Sequence, residues 1–315
     1  ASDVYKRQPL NINGQDQRYI APFFGQVTPF ALTAYNQIGL PAPKFYDPLN
    51  PGSVDSQAFI AQTQAVIDFS ANLTDEQKTI AEYWADGPGT EAPPGHWNLF
   101  AQEISERDNH TVDEDAKMFF ALTGAVFDAG VAAWGYKREY DYVRPVTAVR
   151  TLFAGQQISA WAGPTQGTQL ILGENWTPYQ SPNLVTPPFA EYVSGHSTFS
   201  SAAAEVLRQF TGSDAFGYSV FIPSDSPLHF ETGLSDVTLT WDTFTAAAQE
   251  AGISRLYGGI HFSDGNVNGF ALGQQVGANA YSFAESFFVP EPLTIMGAST
   301  AIAFGAAFKR RRNQH

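Results

Sequence analysis

Hydrophobic residues recur at helical spacing in several separate stretches of the chain, and this pattern predicts a mostly helical protein. In the longest stretch, 112–136, Phe119, Leu122, Val126 and Val131 share one wide apolar stripe. Shorter helices are predicted over 53–72, 74–83, 96–104, 145–152, 197–210, 243–251 and 266–283. A short β-ribbon near 237–239 is the one strand-like segment. The predicted fold class is therefore all-α, a helical bundle with long loops.

Local signals refine these elements. Thr74 starts a capping-box pattern that predicts the beginning of a helix. Residues 9–50 are rich in Pro, Gly, Asn and aromatics without any period, which predicts an extended arm around the domain. Residues 154–190 are predicted to be loop. Three glycines lie four residues apart on one face of the last predicted helix, a spacing that allows close approach of a neighbouring helix: Gly269, Gly273 and Gly277.

The composition limits the class of protein. With 315 residues, of which 43% are hydrophobic, the chain can form one large domain or two small ones. Its formal net charge of −14 argues against a nucleic-acid partner, because phosphate binding needs a basic surface. The absence of cysteine excludes disulfides and thiolate metal sites.

The two ends of the chain have unusual sequences. Residues 1–8 begin with Ala1 and contain no apolar signal region, so we interpret them as an artefactual leader and expect the true N-terminus, with any signal peptide, to be missing. Residues 289–315 contain Pro290-Glu291-Pro292, the apolar run 293–308 and a basic end. This order resembles the PEP-CTERM sorting tail, which an exosortase cleaves.

That resemblance implies an exported protein of a Gram-negative-type bacterium, periplasmic or at the cell surface. The apolar run of 16 residues is short for a span, which needs about 20. It would contact the membrane only before cleavage. The other interpretation, an amphipathic terminal helix, lacks a polar face.

The chemistry centres on Ser194-Gly195-His196, which precedes an Ala-rich helical segment. At a helix N-terminus, free backbone N–H groups and the helix dipole favour an anion. The hydroxyl of Ser194 can donate a hydrogen bond, Gly195 allows close backbone approach, and His196 can transfer a proton. The tripeptide alone is also compatible with a simple polar helix cap.

Two further stretches add fixed positive charge and a second imidazole. Six residues lie between Lys137 and Arg144, which Pro145 follows, and five residues lie between Arg255 and His261. Three cations, a Ser-Gly turn and two histidines can hold a tetrahedral or trigonal-bipyramidal oxyanion. One histidine would then be ligand or nucleophile, and the other the proton carrier.

The order and spacing of these motifs over residues 137–261 resemble the three-part signature of vanadium-dependent haloperoxidases, in the type 2 phosphatidic acid phosphatase superfamily. The flanking sequence resembles the bacterial branch, and the haloperoxidase-like helical domain is predicted to span 9–288. Two positions depart from the pattern. Val193 replaces the usual proline, and Gly265 replaces an aspartate, with Asp264 one position early. The second departure leaves open which group supports the ring of His261.

The resemblance implies vanadate as cofactor and a role for each motif residue. His261 would be the vanadium ligand, with a second acceptor on its other ring nitrogen. His196 would be the acid–base group. The oxyanion charge and its hydrogen bonds would be shared by a larger set: Lys137, Arg144, Arg255, Ser194 and Gly195.

A second group of residues is assigned to the surroundings of this site. Asp86 would orient His196 or Lys137, or else be an exposed loop residue. Trp134 and Phe189 match positions that line the halide side in the family, although both could be plain core. Asp264 is the candidate support for His261. The remaining histidines are interpreted as structural (His96) or surface residues (His110 and His229).

The resulting functional hypothesis is oxidation of halide by hydrogen peroxide to hypohalous acid. The absence of cysteine and the presence of two methionines, Met118 and Met296, fit a protein exposed to such an oxidant. The alternatives are a phosphatase acting through a phosphohistidine at His261, and an inactive surface or matrix protein. The sequence leaves open the halide, the organic acceptor, and whether the protein forms a homo-oligomer.

Overall fold

The structure is a computed structural model that describes residues 5–12, 14–181 and 184–288. Its eight helices in these ranges confirm the predicted helical bundle. They are α1 (Val54–Ala71), α2 (Asp75–Tyr83), α3 (Ala92–Asp108), α4 (Val112–Tyr140), α5 (Pro145–Leu152), α6 (Gly195–Thr211), α7 (Phe244–Tyr257) and α8 (Ser263–Glu285). Capping boxes begin α2 at Thr74 and α4 at Thr111, because each N-cap hydroxyl and the third helical side chain satisfy free backbone donors reciprocally.

Helices α4, α6 and α8 form the centre of the bundle and position the site described below. The glycine stripe of α8 faces α6, as predicted. A Cβ on Gly273 would overlap the carbonyl oxygen of Thr198, and one on Gly269 would lie 2.8 Å from that of Ser194. Among the described helices, α4 alone is long and apolar enough to cross a membrane, but most of it is buried within the protein, as in a core helix.

The described residues also form three short antiparallel hairpins outside the helical bundle. They are β1 (Asn11–Ile12) with β2 (Gln15–Asp16), β3 (Gln157–Trp161) with β4 (Thr168–Leu172), and β5 (Ala215–Ile222) with β6 (Val237–Thr243). The last contains the predicted ribbon. The prediction of loop throughout 154–190 is wrong at β3 and β4. Each of these strands has five residues, too few to show a clear alternation of apolar and polar positions. Strand β3 packs on α1, where the hydroxyl of Ser70 accepts a hydrogen bond from the backbone N–H of Trp161 at 3.2 Å.

The predicted arm, 9–50, lies along α4 with little regular structure. Asp128, fully buried on α4, accepts hydrogen bonds from the backbone N–H groups of Phe30, Ala31 and Leu32 at 2.5, 2.8 and 2.9 Å. One carboxylate therefore satisfies three consecutive backbone donors that the arm has no secondary structure to pair.

Asp128→Ala is expected to lower the free energy of unfolding by about 3 kcal/mol, because it leaves three donors without their charged acceptor in a buried place. Urea denaturation followed by circular dichroism measures this loss. The matched control on the same helix is Asp113→Ala, since Asp113 is exposed and its ion pair within the described part of the chain is with Lys117. Equal stability of the two variants would contradict this role for Asp128.

The ends of the chain are only partly described. Tyr5 accepts a hydrogen bond from the N–H of Val143 at 2.9 Å, and Arg7 donates its N–H to Asp141 at 2.7 Å. These contacts do not test the origin of residues 1–8, which stays a prediction. The predicted sorting tail, 289–315, lies outside the described residues.

Candidate active site

The Ser-Gly-His turn begins α6, as predicted. Ser194 is the N-cap, its hydroxyl oxygen accepts from the N–H of Ser197 at 3.3 Å, and its own N–H donates to the carbonyl of Gly265 at 2.9 Å. The amides of Gly195 and His196 lie in the first turn, where N–H groups have no intrahelical acceptor. The turn therefore presents backbone donors and the positive end of the α6 dipole to one point.

His261 lies just before α8 with its ring buried. Its Nδ1 is 2.7 Å from Oε1 of Glu191, and its Nε2 is 3.1 Å from Nη1 of Arg144. A guanidinium can only donate, so Nε2 must be the acceptor and the proton of the neutral ring must be on Nδ1. Burial, together with repulsion from Arg144, lowers the pKa of His261 well below its usual value. The neutral ring therefore has its lone pair on Nε2.

Glu191 was missed by the sequence reasoning, which offered Asp264 as the support for His261. That assignment is corrected by the contact from Glu191, whose carboxylate occupies the space beside Nδ1 and also accepts from the N–H of Phe262 at 3.0 Å. Glu191 is fully buried, and burial raises its pKa to about 7. Its position directly before the Ser-Gly-His turn was the available signal.

The three predicted cations are all buried. Lys137 donates to the carbonyls of Ala190 and Glu191 at 3.0 and 2.9 Å and to that of Val193. Arg144 donates to Phe189 and Ala190 as well as to His261. These bonds tie both side chains to the segment that leads into the Ser-Gly-His turn.

Burial is also the main influence on how strongly these groups hold their protons. Burial and then repulsion from Arg144 lower the pKa of Lys137. Burial lowers the pKa of Arg144 and of Arg255 to about 10, so both guanidiniums stay charged at neutral pH. Arg255 belongs to α7. Its Nη2 donates a hydrogen bond to the carbonyl of Ala81, on α2, at 2.6 Å.

His196 and Asp86 face each other across the site. Nε2 of His196 is 3.9 Å from Oδ2 of Asp86, and both atoms are buried without a hydrogen-bond partner among the described residues. Burial, and then repulsion from Arg255, lowers the pKa of His196 to about 3, so the ring is neutral. The interpretation of Asp86 as an exposed loop residue is wrong, since its side chain is 3% exposed. No contact with Lys137 is seen, whereas its proximity to His196 fits the orienting role.

The other histidines are less exposed than predicted. His96 is structural, as predicted, and joins Asp86 at 3.0 Å to the hydroxyl of Tyr83 at 3.1 Å. The surface assignment of His229 is wrong, because its ring is 3% exposed and bonds to buried Glu82. The ring of His110 is 9% exposed and lies 3.3 Å from Asp115. Sequence distance explains the error at His229, since its partner is 147 residues away.

A cavity of about 340 Å³ opens onto His196, His261 and Arg255. Trp134 and Phe189 both line it, with ring centroids 4.9 Å apart, so neither is plain core. Phe199, which the sequence reasoning did not name, completes this wall. Lys137 lies with its ammonium 5.2 Å from the ring centre of Phe189. The wall is apolar while the floor carries the charged groups.

The residues present fit a bound oxyanion such as vanadate. Three buried cations face two buried carboxylates, Glu191 and Asp86, which leaves an excess of positive charge. The backbone at Gly195 is accessible from the cavity, and Nε2 of His196 has no partner among the described residues. Nε2 of His261 offers a lone pair for coordination. Because burying unbalanced charge is unfavourable, the arrangement is best completed by an anion.

Comparison with known proteins places these features in a family. Vanadium chloroperoxidase of Curvularia inaequalis is 29% identical over 225 residues, which cover 64% of this chain and 35% of that protein. Structures of a bacterial vanadium-dependent chloroperoxidase in its apo and holo types are each 25% identical, with a TM-score of 0.80. They cover 91% of this chain and 64% and 63% of theirs.

A bacterial vanadium-dependent iodoperoxidase shares the fold, with a TM-score of 0.68 and 24% identity over 89% of this chain and 60% of that one. This chain thus spans about a third of the curated relative and less than two thirds of these solved chains. Residues 117–290 match the second helical-bundle domain of VCPO, vanadium chloroperoxidase. Because this match covers more than half of the 315 residues, the chain belongs to the vanadium haloperoxidase family.

Proposed function

We propose that this protein is a vanadium-dependent haloperoxidase, which oxidises halide with hydrogen peroxide to hypohalous acid. The observation that carries the proposal is the ring of His261. Its proton is on Nδ1, facing Glu191, and its Nε2 lone pair lies among buried cations beside the cavity. A neutral imidazole with a fixed tautomer and a lone pair on its other nitrogen is what a metal ligand requires.

Each residue has a defined part in this proposal. Vanadate bound at His261 would supply a Lewis acid that activates hydrogen peroxide towards halide. Arg144 holds Nε2 of His261 in the free protein, so its guanidinium must turn to the oxyanion when the ligand bond forms. Lys137 and Arg255 balance the remaining negative charge, and Ser194 with the amide of Gly195 donates hydrogen bonds.

His196 performs the proton transfer. Because its ring is neutral in the free protein, it can take a proton from hydrogen peroxide at Nε2 and return it to the leaving oxygen. Asp86, 3.9 Å away, stabilises the charged ring that forms. Trp134, Phe189 and Phe199 keep one side of the cavity apolar, which limits water around the halide.

The deciding experiment loads the protein with vanadate and adds hydrogen peroxide, bromide and a phenol-type dye. We expect bromination that depends on vanadate and is reduced by phosphate, which competes for the same cations. Protein without vanadate is the control. Absence of halogenation with bromide, iodide and chloride, together with fast phosphatase activity inhibited by vanadate, would overturn the proposal.

The second candidate is a phosphatase of the same superfamily. The Nε2 lone pair of His261 that favours vanadate could equally attack phosphorus, with His196 protonating the leaving group. Hydrolysis of a chromogenic phosphate ester by vanadate-free protein measures this activity. One observation favours the oxidative function: the chain has no cysteine, and Met118 is fully buried, so the described residues expose no easily oxidised sulfur.

For location, we propose an exported protein whose residues 290–315 are removed by an exosortase. Support comes from Pro290-Glu291-Pro292, the apolar run and the basic end in that order. Intact-mass measurement on protein from the native host should show a mature chain without this tail, outside the cytoplasm. Full-length protein in the cytosol would contradict both parts.

A further inference from the structure

The carboxylate of Glu191 lies in the protein interior, where a charge without a partner is unfavourable. The residue is fully buried, Oε1 accepts from both His261 and Phe262, and Oε2 has no hydrogen-bond partner among the described residues. Lys137 and Arg144 are close enough to offset its charge. Replacing a whole buried group of opposite charges by apolar residues is often neutral or stabilising, so the stability of the fold does not by itself require charged side chains here. The contact of Glu191 with His261 is the property that an apolar side chain could not supply.

Gly265, in the first turn of α8, makes room for this carboxylate. A Cβ on Gly265 would overlap Oε1 of Glu191 and lie 2.8 Å from its Cδ. The backbone of Gly265 is helical and outside the left-handed region, so its conformation does not call for glycine. Glycine in a helix costs about 1 kcal/mol relative to alanine. The close approach of Glu191 is therefore the physical reason for a glycine at this position.

We propose that Glu191 is the positioning residue for His261 and that it forms one exchangeable unit with Gly265. The carboxylate that fixes the Nδ1–H tautomer can come from position 191 or from position 265, but the space holds only one side chain. Through the tautomer, the unit keeps the Nε2 lone pair directed towards the cavity. The part that concerns vanadate affinity rests on the proposed function, whereas the tautomer assignment does not.

Three variants test the exchange: Glu191→Ala, Gly265→Asp, and the double variant. Loss of a side chain that orients a metal ligand typically weakens affinity 10–100-fold, so we expect about that loss of vanadate affinity in Glu191→Ala. Gly265→Asp alone should lose at least as much, because two carboxylates compete for one space. The double variant should recover most of the affinity, a strongly non-additive result. Equilibrium dialysis with vanadium quantification measures all three.

A second readout needs no vanadate. In protein labelled with ¹⁵N-histidine, the ring nitrogen shifts of His261 report which nitrogen carries the proton. We expect Nδ1–H with a hydrogen-bonded shift in the wild type and the double variant. In Glu191→Ala only Arg144 still favours this tautomer, so the Nδ1 signal should lose its hydrogen-bonded shift and the share of the Nε2–H form should rise. Glu191→Gln, which keeps the shape and an acceptor for Phe262, serves if Glu191→Ala does not fold. It should retain the fold and lose only part of the vanadate affinity, because its amide oxygen can still accept from Nδ1–H while the charge of the carboxylate is lost.

The matched control is Asp115→Ala, which removes the partly exposed carboxylate beside His110. It should alter only the signals of His110 and leave vanadate affinity unchanged. Unchanged ring nitrogen shifts of His261 in Glu191→Ala, or no recovery in the folded double variant, would overturn the inference. If the tautomer behaves as expected but the wild type neither binds vanadate nor halogenates, the proposed function fails and the positioning role stands.

Discussion

Replacement of His261 by alanine is expected to abolish retention of vanadate. The Nε2 lone pair of this imidazole is held in place, because Glu191 accepts the hydrogen bond from Nδ1–H and Arg144 donates to Nε2. The cations can still attract an oxyanion, but ionic contacts exchange with buffer whereas a coordinate bond retains the metal. Gel filtration of vanadate-loaded protein, followed by vanadium quantification, measures the retained stoichiometry.

The control for this variant is His110→Ala, which removes a histidine that does not line the cavity. It should keep the vanadium content of the wild type. Thermal melting must show that His261→Ala is folded, since Glu191 and Arg144 both lose a partner. Vanadium retention equal to that of the wild type in the folded variant would remove His261 as the ligand.

Replacement of His196 by alanine is expected to leave vanadate bound while lowering turnover by about 10²–10⁴-fold, the usual contribution of a positioned proton carrier. The ligand bond and the three cations remain in this variant. What is lost is the neutral imidazole whose Nε2 is buried without a hydrogen-bond partner among the described residues and lies beside Asp86. Steady-state halogenation rates at full vanadate occupancy separate this loss from weaker loading.

Asp86→Asn provides a graded companion to that variant. An amide cannot stabilise the charged imidazole as a carboxylate does, so turnover should fall less than in His196→Ala while vanadate stays bound. The double variant should be no slower than His196→Ala, because Asp86 acts through His196. Additive losses in the double variant would mean that the two residues act independently.

Much of the fold follows from local sequence. The bundle was predictable because several stretches have apolar residues at helical spacing, and because Thr74 is a local signal for where a helix begins. The placement of Ser194-Gly195-His196 at the start of α6 follows for the same reason. The strands of 157–172 were not predictable, because hairpins this short depend on the helix that they pack against.

Some features of the candidate site were likewise predictable from the sequence, and others were not. The sequence by itself determined which residue types form the spaced motifs. The spacing of Lys137, Arg144, Arg255 and the two histidines can be read directly along the chain. Only the tertiary structure decided that Glu191, 70 residues before His261, supports its ring in place of Asp264. Such a pairing depends on how closely the start of α8 approaches the segment before α6. That approach is allowed by the missing side chain at Gly265, a position that the sequence marked only as a departure from the usual aspartate.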